Sequence, residues 1–388
     1  MRRLLYLLLI FLFGIPVISW VVWQLWPARP LNILILDKTS TTAEGNEHRS
    51  FNWVLTYNKY TKPGGGTYSV CKDYYGFFPL QDEKYLLKGL EQCTALQVDS
   101  LADRSDMAYF NDTYGVYRGD WYQRTRSLDR SPLLYGGLQK NDLRFLEAMK
   151  SQGKLVITEF NFLASPTSDS LRRAAERMFD IRWTGWAGRC YSSLDSMNSD
   201  IPRWALRLYE RQHHERWWFR NPGIILIHSS DTIVVLEEAT HLEGAVPTIM
   251  TQGDPRDVFH VPDEMPYPYW FDITLSGPSN TVAAEYSLHT NMMGDSVLNR
   301  YRIPRVFPAV IERRQRYTFY YFAGDFADNP IFSTSWAHFK GLPWLRASFY
   351  DKEDPDERLC FFWEYYFPMM TAILERYEHD MQTRARYP

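Results

Sequence analysis

The chain reads as an α/β protein: a mostly parallel sheet flanked by helices, with added antiparallel strands in the C-terminal half, preceded by one transmembrane helix. Three observations predict this. Apolar runs of strand length alternate with helical spacing through the first half, the pattern of βαβ units with right-handed crossovers. After Pro222 the character changes to short strands joined by tight turns. From Leu4 to Trp26 the chain is apolar or aromatic, interrupted only by Gly14, Pro16, Ser19 and Gln24. That run of roughly 20 residues matches the hydrocarbon thickness of a bilayer.

Arg2 and Arg3 precede this run, while Trp20, Trp23 and Trp26 cluster at its far end, where indole rings favour the headgroup region. The reading is a signal-anchor over residues 1–30, with its N-terminus cytoplasmic and a domain over residues 31–388 in the periplasm or outside the cell. A cleaved secretory peptide would carry small residues at its cleavage site. Bulky Trp and Gln fill that place, followed by Pro27 and Pro30.

Within the domain, residues 31–220 read as the βαβ part and 221–388 as a strand-rich part with a closing helix. Leu31 to Leu36 is a nearly continuous apolar run of the kind that parallel sheets bury on both faces, and it ends at Asp37. Asn46 can cap a helix through Tyr60, with Glu47 in the first turn where it suits the dipole. Lys62 to Gly66 is a turn cluster, and Met107 to Phe110 a second strand ending at Asn111 and Asp112. Leu133 to Tyr135 meets Gly136 and Gly137, and a helix follows over Asn141 to Ser151. Lys154 to Phe160 is the next strand, leading into a helix from about Ser168 to Phe179. Ile224 to His228 and Thr232 to Leu236 form a hairpin candidate, and further strands are expected over Tyr269 to Leu275, Val282 to Leu288, Val306 to Glu312 and Thr318 to Phe322. The closing helix spans about Leu359 to Met381, with Pro368 expected to kink or split it.

Composition narrows the function. With 388 residues, 23% charged and a formal net charge of -3, the chain has no basic surplus to neutralise phosphates, which argues against nucleic acid as a partner. Aromatic content of 16%, with 14 Trp and 26 Tyr, exceeds what a core alone needs, so some rings are expected to line a surface or cleft. Among the cysteines, Cys71, Cys93, Cys190 and Cys360, no CxxC pair occurs, so zinc ribbons and thioredoxin-like chemistry find no support. Cys71 and Cys93 are candidates for a bridge, worth on the order of 3 kcal/mol in the chain-entropy picture, beside the alternative of separate buried thiols.

In open α/β sheets, ligands bind beyond the C-terminal ends of the strands. That rule selects Asp37, Asp112, Tyr114, Gly136, Gly137, Glu159, Asn161 and Asp325, with carboxylates dominant. Glu159 and Asp325 are the candidate acid and base of a hydrolase, since paired carboxylates in unlike environments divide those roles. Asp325 and Asp328 stand three apart beside Asn329, but a calcium or magnesium ion needs more oxygen ligands than this stretch supplies, so no metal and no cofactor is expected. His48 and Arg49, at the start of the first helix, are candidates to hold an anionic group. Trp183, Trp186 and Arg189 offer flat faces and a cation near a turn, suited to stacking on sugars, beside the alternative of core packing.

Nucleophile signals are poor. There is no G-x-S-x-G elbow, Cys190 lacks the second glycine of a tight turn, and His213, His214 and Glu215 lack the spacing of a zinc helix and read as a polar helix face. The first strand ending in Asp37, the Gly136-Gly137 turn, the strand leading to Glu159 and the late strand ending in Gly324-Asp325 together resemble the class I glutamine amidotransferase-like fold, over roughly Leu31 to Asn329. The resemblance implies the scaffold and the position of the cleft. That family's catalytic cysteine would stand where this chain has Glu159 to Asn161, and its histidine near Gly324-Asp325; both are missing.

The expectation is therefore a cell-envelope protein that binds a ligand, glycan-like, or a protein partner at the strand-end cleft, with a carboxylate-dependent hydrolase acting on carbohydrate as the alternative. An assembly role in a membrane complex rests on the anchor alone.

Overall fold

The structure is a computed structural model and describes residues 14–122, 131–354 and 356–386. The strands that build its two main sheets are β1 (Ile33–Asp37), β2 (Tyr75–Pro79), β3 (Tyr85–Lys88), β4 (Met107–Asp112), β5 (Leu155–Thr158), β6 (Ile181–Tyr191), β7 (Gly223–His228), β8 (Thr232–Glu237), β9 (Thr248–Met250), β10 (Glu264–Pro266), β11 (Trp270–Ser276), β12 (Thr281–Ser287), β13 (Val306–Arg314) and β14 (Thr318–Phe322). The main helices are α1 (Ile15–Leu25), α2 (Asn46–Tyr57), α3 (Ala95–Arg104), α4 (Lys140–Ser151), α5 (Asp169–Phe179), α6 (Arg203–His213), α7 (Asp254–Phe259), α8 (Met292–Tyr301) and α9 (Phe367–Arg386).

Apolar residues on both faces of β1, β4, β5 and β14 need cover on both faces, and all four strands are buried throughout. Helix α2 and α9 pack together on one side, α3, α4 and α5 on the other. The resulting sheet has ten strands in the order β10-β9-β12-β13-β14-β5-β4-β1-β2-β3. Its centre, β14 to β2, is parallel, and both flanks are antiparallel. The sheet is thus mixed rather than mostly parallel, because the late hairpin strands extend it directly: β14 pairs in register with β5, Tyr320 opposite Ile157.

The remaining strands form a second sheet, β8-β7-β6-β11, entirely antiparallel. One of its faces packs on α6 through Tyr191, Leu206, Tyr209, Ile225 and Val235. Strand β11 joins it to the large sheet, since Asp272 N donates to Ala323 O at 3.0 Å and Asp325 N to Trp270 O at 3.1 Å. The stretch Trp183 to Arg189, expected near a turn, is the middle of β6. Its register shifts between Trp183 and Ala187, and Gly185 sits at φ +94, where a Cβ would meet the His228 ring at 2.3 Å.

The expected transmembrane helix is not supported. Among the described residues, no helix is long and apolar enough to cross a membrane. Residues 1–13, the front of the apolar run, lie outside the described residues. The rest is α1, whose 11 residues span about 16 Å, half the hydrocarbon thickness. This helix docks on the domain: the buried Trp23 donates from Nε1 to Thr56 O at 2.9 Å, and Ser19 Oγ donates to Lys340 O at 2.6 Å. Lys59 Nζ donates to the carbonyls of Trp23, Gln24 and Trp26 at the helix end. The signal-anchor and the single-pass placement derived from that run are corrected accordingly.

Two local expectations also change. Asn46 is the first residue of α2 rather than its cap, because Gly45 in the left-handed region (φ 55, ψ 51) turns the chain into the helix. Pro368 does not split the closing segment. A π turn over Phe362–Tyr366 joins the short helix Arg358–Phe361 to α9, and this widened turn accommodates the missing N–H and the bulk of the proline ring.

Candidate functional site

Strands β4 and β1 end in Asp112 and Asp37, β5 leads into Glu159 and the turn after β14 carries Asp325, so the order of these four parallel neighbours brings four carboxyl groups to one end of the sheet. At a strand spacing of about 4.8 Å the row spans about 14 Å. The start of α2 lies over it, bringing Glu47 and His48.

Part of the row is engaged by the protein itself. His48 Nδ1 lies 2.6 Å from Asp37 Oδ2 and Nε2 lies 2.9 Å from Val70 O. Both partners only accept, so both ring nitrogens donate and the buried ring is an imidazolium. Burial alone would lower its pKa, but the bond and charge of Asp37 outweigh it and raise it. The other Asp37 oxygen accepts from Thr39 N at 2.9 Å and Ser40 N at 3.1 Å. Glu159 is 1% exposed, and its oxygens accept from Tyr109 Oη and from Ala327 N, the latter at 3.1 Å. Tyr109 in turn meets Tyr366 Oη at 3.0 Å. Burial pushes the Glu159 carboxyl up to about 8.

Asp112 accepts from Tyr114 N at 2.6 Å and faces Asn161 Nδ2 at 3.5 Å, and burial pushes its carboxyl up to about 7. Asn161 takes a left-handed conformation (φ 67), held by Thr113 Oγ1 donating to its carbonyl at 2.9 Å. Asp325 is half-buried and differs from the rest of the row. Its carboxylate has no hydrogen bond or ion pair among the described residues, and burial, followed by the charges of Asp328 and Asp112, raises its pKa well above the ordinary range against the pull of Arg358.

Beyond Asp325 the site is closed by groups from distant parts of the chain. Asp328 Oδ2 accepts from Tyr269 Oη at 3.0 Å and lies 3.6 Å from Arg358 Nη1. The Arg358 guanidinium sits 3.3 Å over the Tyr269 ring, and Arg189 lies 5.2 Å from the same ring. Glu47 is pushed up to about 8 by burial and then by Asp37, with Asp328 adding to it. Asn111 Nδ2 donates to Glu47 O at 2.8 Å, and Asn329 Nδ2 donates to Phe326 O at 2.7 Å and Ser50 Oγ at 3.2 Å.

Protein-family models and curated proteins offer no match to this chain. The chemistry of the site therefore rests on its geometry. Among the described residues, buried side-chain atoms without a partner include Asn46 Oδ1, Glu47 Oε2, Arg49 Nε, Asn111 Oδ1, Asn329 Oδ1 and Arg358 Nη2. Buried polar groups are normally paired, and several of these exceptions gather around one helix start and one loop.

The residues expected from sequence divide into three sets. Asp37, His48, Asp112, Glu159, Asn161, Asp325 and Asp328 meet at the strand ends, and Arg49 stands on the first turns of α2. Gly136 and Gly137 shape the backbone beside them: a Cβ on Gly136 would lie 2.7 Å from Gly115 Cα, and Gly137 O receives Lys38 Nζ at 3.0 Å. Tyr114, 40% exposed, meets the Tyr117 ring at 5.0 Å in a tilted arrangement. Trp183 and Trp186 are buried in the core on β6, Trp183 Nε1 donating to Trp186 O at 3.1 Å, while Arg189 alone of that stretch reaches the rim through Tyr269. From sequence Glu47 is legible only as a helix-dipole residue. Arg358, Tyr269 and Trp270 carried no sequence signal, since nothing local marks them; Asn111 could have been found beside Asp112.

Other chemistry finds little footing. Among the described residues, no group of three or more His, Cys, Asp or Glu side chains is placed to hold a metal ion. Burial pushes the Cys190 thiol up to about 12, which disfavours a thiolate, and all four cysteines are free, so Cys71 and Cys93 form no bridge. His213 ends α6 and His214 is its left-handed cap.

Proposed function

We propose that the strand-end cleft binds a small polyhydroxylated, glycan-like ligand. The observation that carries this reading is the set of buried, unpaired polar atoms on α2, at the end of β4, in the loop after β14 and on Arg358. Hydroxyl groups both donate and accept, which suits a site that offers amide and carboxyl oxygens together with arginine nitrogens. Tyr269 and Trp270 are half-buried, with the Trp270 carbonyl accepting from Asp325 N and the Arg358 guanidinium over the Tyr269 ring.

Isothermal titration of the full chain with glucose, N-acetylglucosamine, cellobiose and chitobiose tests the reading. Saturable binding that is lost in Asp325→Ala and in Arg358→Met is expected. Failure of every sugar to bind overturns it.

A hydrolase is the second reading, favoured by one observation: carboxyl groups held near neutrality, Asp112 at about 7 beside the raised Asp325, are matched to acid and base work. Glu159, with both oxygens bonded to protein groups, is a poorer partner for Asp325 than its position in the sequence implies. Turnover of the same sugars, lost in Asp325→Asn and in Asp112→Asn, would move the assignment to catalysis.

A further inference from the structure

The unpaired groups around Asp325 are unequal in kind. Asn111 and Asn329 are 2% and 1% exposed, and the amide of each is oriented by a backbone carbonyl, Glu47 O for Asn111 and Phe326 O for Asn329. The nitrogen must face that carbonyl, so the unpaired Oδ1 atoms are acceptors only. Glu47 Oε2 and the Asp325 carboxylate add further oxygens, while the unpaired donors nearby are arginine nitrogens, Arg358 Nη2 and Arg189 Nε at the Tyr269 rim and Arg49 Nε on α2.

Charge follows the same pattern. Asp37 is answered by His48, and Asp328 by Arg358 and Tyr269, but Glu47, Asp112 and Asp325 have no cation of their own within ion-pairing distance among the described residues. Their carboxyl groups are all raised, by burial first and then by neighbouring carboxylates, so a cation seated among them would be met by their ionisation.

A hydroxyl group brings an acceptor with its donor and no charge to draw these carboxyls into their ionised form. A protonated amine brings three donors, no acceptor and one positive charge. A bare metal ion is less suited, because no three of these side chains are grouped closely enough to hold one.

Resting on the sugar-binding reading, we infer that the ligand of the cleft carries a protonated amine, as in an amino sugar, seated among Asp325, Asn329, Asn111 and Glu47. Arg358 Nη2 then meets a ring hydroxyl oxygen.

The test is isothermal titration of the full chain at neutral pH with glucosamine, glucose and N-acetylglucosamine. These differ at one position, where they carry an amine, a hydroxyl and an uncharged amide. Glucosamine is expected to bind at least about tenfold more tightly than the other two, the equivalent of about 1.4 kcal/mol. In Asp325→Asn, which keeps the shape and removes the charge, that preference falls to near unity while weak binding of all three remains. Equal binding of glucose and glucosamine to the wild type overturns the amine and leaves the sugar-binding reading standing. A preference that survives in both Asp325→Asn and Glu47→Gln overturns the placement, and no binding of any of the three overturns the inference together with the reading beneath it.

Discussion

Arg358 lies over the ring of Tyr269, 3.3 Å from guanidinium carbon to ring centroid, while both residues reach the same Asp328 carboxylate. The two come from separate segments, one leading into β11 and the other into the closing helix, and their contact is what walls off the far side of the strand-end row.

Tyr269→Phe keeps the ring beneath Arg358 and removes the hydrogen bond to Asp328, and is expected to cost about 0.5–1.5 kcal/mol of stability. Tyr269→Ala removes the cation–π contact as well, worth about another 0.5–2 kcal/mol. Urea denaturation of both, with a double-mutant cycle against Arg358→Met, reads the coupling. A coupling of zero would show the stack to be incidental.

The buried Asp37–His48 pair predicts asymmetric losses. His48→Gln or Asp37→Asn leaves one charge buried without its partner and is expected to destabilise by about 3–5 kcal/mol. The double variant should be far less destabilised than the sum of the two. Equilibrium unfolding of the three proteins checks this, and additivity would contradict the ion pair.

Glu159→Gln mimics the protonated acid that burial favours below about 8, and should change stability at neutral pH by about 1 kcal/mol or less. Glu159→Ala leaves Ala327 N unpaired and Tyr109 Oη with Tyr366 as its remaining partner, and should cost at least about 2 kcal/mol. Equal losses would mean that the carboxyl is ionised in the folded protein.

Stability should fall as pH rises from mild acid to mild alkali. Asp112 and Asp272, each pushed by burial to about 7, and Glu47 and Glu159, pushed to about 8, bind protons in the folded chain that the unfolded chain releases near pH 4. His48, also raised, contributes stability that is full below its unfolded pKa and is lost as pH climbs through the folded value. Both effects run the same way. The lowered carboxyls of Glu237 and Glu364 act in the opposite sense, contributing above their unfolded pKa and losing it as pH falls below that range. The midpoint of thermal unfolding is therefore expected to be highest near pH 5 and to decline up to pH 9; a rising profile would contradict the burial of these acids.

Gly76 pairs with Asp37 at φ +145, and a Cβ there would come 1.5 Å from the Asp37 carbonyl oxygen. Gly76→Ala should cost at least about 3 kcal/mol, measured by urea denaturation, because neither backbone can yield without breaking the β1–β2 pairing.

The central strands were legible because fully buried parallel strands are continuous apolar runs, as in Leu31 to Leu36 and Lys154 to Phe160, and their ends pointed to Asp37, Glu159 and Asp325. Strand β6 was not legible. Its glycines at 185 and 188, which mimic a turn in sequence, serve a bulge and a close approach of Leu226 and Phe271. The apolar run at the N-terminus has the hydropathy of a membrane span and also of a helix that docks through Trp23; only packing separates them. Arg358 and Tyr269 were invisible because their role is set by tertiary contacts, with nothing local to mark it.

The insertion of β14 between β13 and β5 has a temporal consequence. During synthesis the central strand β5 has no neighbour on that edge until residues 318–322 have emerged, after four-fifths of the chain has been made. Until then it presents an open, apolar edge, the kind of template on which nascent chains associate. Asp325, Asp328 and Arg358 are later still, so a truncated or stalled product lacks the wall that closes the strand-end row.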